Sequence, residues 1–337
     1  MQRVSLSLAI VLAAAPAYAE DNTMILATVA PPDSPWSALL TKFKENVEAK
    51  SAKAGKKITV KLKLGGMLGD ENETVTKCRR GQIQAVGAST GALASQVPEL
   101  NVVELPYLFR NADEADAVID HVLTKELEPL FAQRGLVLGF WSENGFRHFG
   151  TRDGFVTKVE HLRGKKMRSQ ESPVHIGMYE AFGASPVPIP TTEVPQALAT
   201  GNVDGFDQSA LYALATAWHK SVKYFTISEH IYQPAAIVFN AEWYGKLSPD
   251  VQKILVDEGR ALQVKGRNAV REIFPDLIEI MKADKVQVYT LTAEERKPFE
   301  AASKPVWDKY RKTHGKLGDK LLDASLAELA TFRSNKK

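Results

Sequence analysis

Short apolar segments alternate with amphipathic helical ones along almost the whole chain, and this interleaving limits the fold more than any single motif. ITVKLKL (58–64) alternates apolar and charged residues, as a half-buried strand does. TMILATV (23–29), QAVGAS (84–89), LVLGFWS (136–142), KKMRS (165–169), AAIVFN (235–240) and VQVYTL (286–291) read as further strands. Between them lie helical patterns: Leu39, Leu40, Phe43 and Val47 after Trp36, then ADEADAVIDHVLTKELEPLFAQ (112–133), PVHIGMYEAFG (173–183) and EVPQALATG (193–201). Strands that alternate with helices predict an α/β fold. A long helical pattern runs from about Asp250 to Lys285, with Pro275 inside it as a predicted kink or break. At ~1.5 Å per residue, such a helix is long enough to tie two domains together.

The N-terminus has the form of a secretory leader. Arg3 precedes the apolar run VSLSLAIVLAAA (4–15), Pro16 breaks it, and Ala17-Tyr18-Ala19 is a small-x-small cleavage site. The run is shorter than the ~20 residues that span a bilayer. A chain cleaved after Ala19 is expected to be soluble outside the cytoplasm and not membrane-spanning. Roughly 318 residues then remain, which at ~100–200 per domain fit two domains. The 43 basic and 40 acidic residues nearly balance and form no block, which argues against nucleic acid as a partner. Cys78 is the only cysteine, so no internal disulfide can form, and it reads as a half-buried helix residue.

Catalytic and metal signals are weak. Gly87-Ala88-Ser89-Thr90-Gly91 matches G-x-S-x-G after a strand, which raises an exported serine hydrolase using Ser89 as one reading. The other reading is a strand that ends in small residues so that a ligand can approach its backbone. The seven histidines form no H-E-x-x-H pair, and GKK lacks the rest of a phosphate loop. No metal and no cofactor is expected, and the chemistry reads as binding.

Arg168 stands out because it sits at the predicted carboxyl end of a strand, where ligands lodge in open α/β sheets. Ser172-Pro173 reads as an N-cap and first-turn proline, which would aim a helix N-terminus at the same region. A planar guanidinium and a helix N-terminus together suit a carboxylate. The same local pattern also fits a surface arginine paired with Glu171, and both readings stand on these residues alone.

Larger blocks carry a resemblance. LGGMLGDENETVTKCRRGQIQAV (64–86), LPYLF (105–109), NGFRHFGT (144–151) and LRGKKMRSQES through FGASPVPIPTTEVPQALATGNVDGFDQ (162–208) make the chain similar to the substrate-binding proteins of tripartite ATP-independent periplasmic (TRAP) transporters. The resemblance implies two α/β domains closing on a ligand cleft, with a long helix spanning both. It places residues 20–147 plus 235–274 in one domain and 148–234 plus 275–334 in the other. It also implies a periplasmic location, a small organic acid anion as ligand, and the small and large TRAP membrane subunits as partners. By position, Arg168 matches the family arginine that holds the ligand carboxylate through a bidentate salt bridge, and Arg147 a second cleft arginine. Thr191 matches a cleft-lining position, and Glu73 and Thr28 are candidates from the first domain. Gln208 stands where many members have asparagine, and Phe206 and Asp207 also depart from the family's Asp-Gly-x-Glu run. Phe206 is either an aromatic wall of the cleft or a core residue. These departures set the chain apart from members that bind C4-dicarboxylates or sialic acid. A receptor feeding a membrane sensor kinase rather than a permease is the alternative within the same class.

Overall fold

The computed structural model describes residues 22–335. The expected leader and its cleavage site after Ala19 lie outside the described residues. Nine strands form one mixed sheet: β1 (Thr23–Thr28), β2 (Thr59–Lys63), β3 (Ala85–Ser89), β4 (Leu136–Thr151), β5 (Lys166–Ser169), β6 (Ser185–Pro188), β7 (Gly205–Gln208), β8 (Tyr224–Asn240) and β9 (Gln287–Thr290). Their order is β2-β1-β3-β8-β4-β7-β5-β6, with β9 also on β8. Helices cover this sheet, which makes the chain the α/β protein that its alternating pattern predicts.

Two strands are far longer than the sequence pattern indicates. LVLGFWS is only the first half of β4, and AAIVFN only the last part of β8. The remainder carries Glu143, Arg147, His148, His230 and Gln233, each almost wholly buried. These polar side chains turn inward to one another, so hydropathy does not mark their strands. β4 and β8 pair antiparallel along most of their length. Ala235 to Phe239 of β8 also pair with β3, whereas His148 to Thr151 of β4 pair with β7. One end of the long ribbon thus belongs to the lobe of β1–β3 and the other to the lobe of β5–β7. Bulges interrupt its register at Glu143/Gly145 and Arg147/Phe149, at the crossing between the lobes.

The helical pattern expected to run from Asp250 to Lys285 divides into Pro249–Glu272 and Phe274–Ala283. Pro275 occupies the first turn of the second helix, where its missing N–H costs nothing, and the chain breaks just before it. The first helix lies on β4 and on the Pro35–Lys53 helix, and the second on β9 and the Ala210–Ala215 helix. The pair therefore still runs from one lobe to the other. The Lys304–Asn335 helix packs on the first-lobe segments Ala112–Val118 and Pro98–Glu104 as well as on Pro173–Ala181. Its apolar positions Leu321, Leu322 and Leu329 join a core cluster that runs behind both lobes.

The Pro249–Glu272 helix approaches the sheet closely at Gly259, where an added Cβ would lie 2.0 Å from Cδ1 of the buried Phe140 ring. An alanine at an ordinary helical glycine stabilises by about 1 kcal/mol. Here the sign reverses: Gly259→Ala is expected to cost about 1–3 kcal/mol in urea unfolding, because the ring must leave its place.

Candidate functional site

Four strand ends converge between the lobes. The carboxyl ends of β1 and β3 bring Thr28 and Ser89 from one side, and those of β5 and β7 bring Gln170 and Gln208 from the other. They border a cavity of about 630 Å³, mouth included. Open α/β sheets bind ligands at this edge because each strand delivers one side chain and then turns away.

Arg147 and Arg168 both reach the cavity, in different electrostatic states. The Arg147 Nε donates to Asp207 Oδ2, its Nη2 to the Asp207 backbone oxygen, and its Nη1 to Gln208 Oε1 at 3.0 Å and Gln233 Oε1 at 2.7 Å. Asp207 is fully buried and also accepts from the Tyr179 hydroxyl at 2.9 Å, with His230 Nε2 at 3.3 Å. Burial opposes its negative charge, but Arg147, the His230 hydrogen bond and the nearby His175 ring, 3.8 Å away, hold its carboxyl well below the usual range. The charge of Arg147 is thus compensated inside the protein.

Arg168 has no such counter-ion. It is 1% exposed; its Nε and Nη2 converge on the Ile189 carbonyl at 3.1 and 2.8 Å, and Nη2 also donates to Thr191 Oγ1 at 3.2 Å. Its guanidinium carbon stands 5.3 Å from the Trp218 ring centroid, a cation–π contact. Nη1 donates to no protein atom among the described residues. Burial, together with the Arg147 charge, pushes Arg168 down to about 10. Glu171, the alternative partner read from the local sequence, instead accepts from Asn72 Nδ2 at 3.1 Å across the mouth of the cleft.

A second polar network lies beneath the first. Gln233 Nε2 donates to Gln170 Oε1 at 2.7 Å and to Glu104 Oε2 at 3.1 Å, and Gln170 Nε2 donates to Ser89 Oγ at 2.8 Å. Ser89 in turn donates from its backbone and hydroxyl to Glu71, at 2.7 and 3.0 Å. No histidine bonds Ser89, so the G-x-S-x-G serine lacks the base that a nucleophile elbow needs. Its side chain caps the Thr90–Leu93 turn. Burial, with Asp70 beside it, pushes the Glu71 carboxyl up to about 7.

Arg168, Arg147, Gln208, Thr191 and Thr28 all border the cavity. Two expected residues do not. Glu73 faces outward, half exposed, and pairs with Lys77 at 2.7 Å; two residues earlier on the same helix Glu71 takes the inward position. Phe206 alternates away from Asp207 on β7 and is a core residue, its ring edge-on to Trp218 at 5.4 Å. The Ser172 hydroxyl does not cap its helix either; it donates to Asn101 at 3.2 Å. Sequence reasoning missed Gln233, Trp36 and Tyr212 as lining residues. Gln233 sits in the unrecognised half of β8. Trp36 begins a helix whose apolar face reads as ordinary core, and the short Ala210–Ala215 helix that carries Tyr212 is not marked by the sequence pattern.

Residues 26–313 match the model of the bacterial extracellular solute-binding proteins, family 7 (DctP). The chain belongs to that family. A solute-binding protein of Verminephrobacter eiseniae is 31% identical over 81% of this chain and 80% of its own length. The 2,3-diketo-L-gulonate-binding periplasmic protein YiaO of Escherichia coli is 29% identical over 72% of this chain and 74% of its own. Among solved structures, a TRAP solute-binding protein from Ralstonia eutropha with bound (S)-2-acetolactate superposes with a TM-score of 0.85 at 25% identity, covering 92% of this chain and 99% of that one. The sugar acid binding protein from Advenella mimigardefordensis, in complex with galactonate, gives 0.84 at 27% identity, covering 91% and 98%.

In this TRAP solute-binding protein the buried ion pair dominates the energetics of the site. Asp207→Asn leaves Arg147 as a buried charge without its counter-ion and is expected to cost about 3–5 kcal/mol in urea unfolding at neutral pH. Glu71 has the opposite sign. Its carboxyl, raised in the fold, holds a proton that the unfolded chain releases, so stability declines as pH rises from the ordinary carboxylate range to about 7. Glu71→Gln should remove that decline, seen as a gain in melting temperature over the parent that is larger at pH 8 than at pH 5.

Proposed function

We propose that the protein captures an organic acid anion in the cleft between its lobes, with Arg168 as the group that holds the ligand carboxylate. The single observation behind this reading is a buried arginine that borders the cavity and has no carboxylate partner. Charge burial of this kind is expensive unless a counter-ion completes it. The Nε–Nη2 edge is occupied by the Ile189 carbonyl, so the carboxylate meets the Nη1 end of the guanidinium. Arg147 supports the site from behind, by fixing the amides of Gln208 and Gln233. The ligands bound in the similar solved proteins, acetolactate and galactonate, are organic acids and agree with this reading.

Bonds between the lobes accompany closure. Asn72 reaches Glu171, the Thr192 backbone N–H reaches Asp70 at 3.3 Å, and Gln170 reaches Ser89. A ligand that bridges both lobes binds the closed form better and so raises its population. The closed protein is then the form that the small and large membrane subunits of a TRAP permease receive. The leader directs the chain to the periplasm, with cleavage after Ala19.

Native mass spectrometry of protein purified without refolding, followed by calorimetry with the acid it carries, tests the reading. Arg168→Ala is expected to weaken binding by about 2–5 kcal/mol, because one partner of a buried charge pair is removed. Equal affinity in the variant would refute the assignment of Arg168.

A further inference from the structure

We infer that the ligand is a monocarboxylate with one oxygen substituent near the carboxylate and a hydrocarbon remainder, and that the cleft disfavours sugar acids and dicarboxylates. The inference rests on the reading of Arg168 as the carboxylate site. It follows from how the two lobes divide the chemistry of the cavity.

The second lobe supplies the polar end. Beside Arg168 stand the Gln208 amide nitrogen and the Tyr212 hydroxyl, and neither has a protein hydrogen-bond partner among the described residues. These two groups can take one further oxygen, a 2-oxo or 2-hydroxy group for example, next to a carboxylate on Arg168. Arg147 is already neutralised by Asp207, and no lysine borders the cavity. Among the described residues the site therefore has one uncompensated cation, enough for one carboxylate.

The first lobe supplies an apolar wall. Trp36, Leu39 and Leu40 from the Pro35–Lys53 helix, Val29 after β1, and Ala236 and Ile237 of β8 border the cavity from that side. The one polar atom of Trp36, its indole N–H, is spent on the Glu143 carbonyl at 2.7 Å. Of the hydroxyls on this side, Ser89 is occupied by Glu71 and Gln170, whereas Thr28 accepts from the Ala30 N–H at 3.1 Å and keeps one proton to donate, as Ser142 beside it does. A polyol chain laid against this wall would bury hydroxyls with few partners, which penalises it against a hydrocarbon. Among the described residues the only carboxyl bordering the cavity is Glu71, also from the first lobe. A second ligand carboxylate reaching toward that lobe would meet a carboxyl group where it needs a cation.

Three acids of equal carbon number separate the possibilities: 4-methyl-2-oxopentanoate, 2-oxoadipate and galactonate. Each is titrated calorimetrically into the extensively dialysed mature protein and into Arg168→Ala. The expected result is that 4-methyl-2-oxopentanoate binds roughly ten- to a hundred-fold tighter than either of the others, the worth of burying its branched tail, and that the variant loses it. Tighter binding of galactonate or 2-oxoadipate, lost in Arg168→Ala, would overturn this inference while leaving the carboxylate reading intact. Binding of none of the three, or equal binding by the variant, would overturn the carboxylate reading and this inference with it.

Discussion

The buried pair of Arg147 and Asp207 is the interaction on which the rest of the site depends. Both groups are withdrawn from water at the point where β4 leaves one lobe for the other and meets β7. Such a pair holds only when its remaining donors and acceptors are satisfied. Tyr179, His230, Gln208 and Gln233 supply those partners, drawing in the Pro173–Ala181 helix and the adjoining strands. The pair therefore fixes the geometry of the crossing. It also decides the charge of the cavity, since one of its two arginines is neutralised by a carboxylate of the fold.

That division accounts for the different settings of two residues of the same type. Arg147 is held on every side of its fork by side chains of the sheet. Arg168 is held along one edge only, by a backbone carbonyl and a threonine, with Trp218 against its face. Carbonyl and π contacts orient a guanidinium without cancelling its charge. The arrangement keeps the cation fixed while its electrostatic demand remains, as a carboxylate site requires.

The long strands β4 and β8 give the two lobes a shared backbone and a place to bend. Bulges break their register at the crossing, and Glu229 and Gly145 there adopt positive φ, at 49° and 87°. Most direct bonds between the lobes on the cleft side are single hydrogen bonds, such as Asn72 to Glu171. Each is worth about 1 kcal/mol net. These contacts between the lobes are thus individually weak.

Local pattern determined a great deal. Alternation and helical spacing marked most strands and helices, because burial on one face imposes its period on nearby residues. Pro275 marked the break in the inter-lobe helix, because a proline has no N–H to donate and costs least in a first turn. The family blocks pointed to the arginines by position, and the end of β5 made Arg168 a candidate unaided. What local pattern could not carry was the identity of partners. Glu73 and Glu71 are two residues apart on one helix, and only packing turns Glu71 inward. Phe206 and Asp207 are neighbours on a strand, and the sheet's orientation sends one into the core and the other to Arg147. The polar halves of β4 and β8 looked unlike strands because their side chains are satisfied by residues up to 129 positions away, as Glu104 and Gln233 are. Composition and periodicity report whether a residue prefers water; which charge cancels which is set by distances that exist only once the chain has folded.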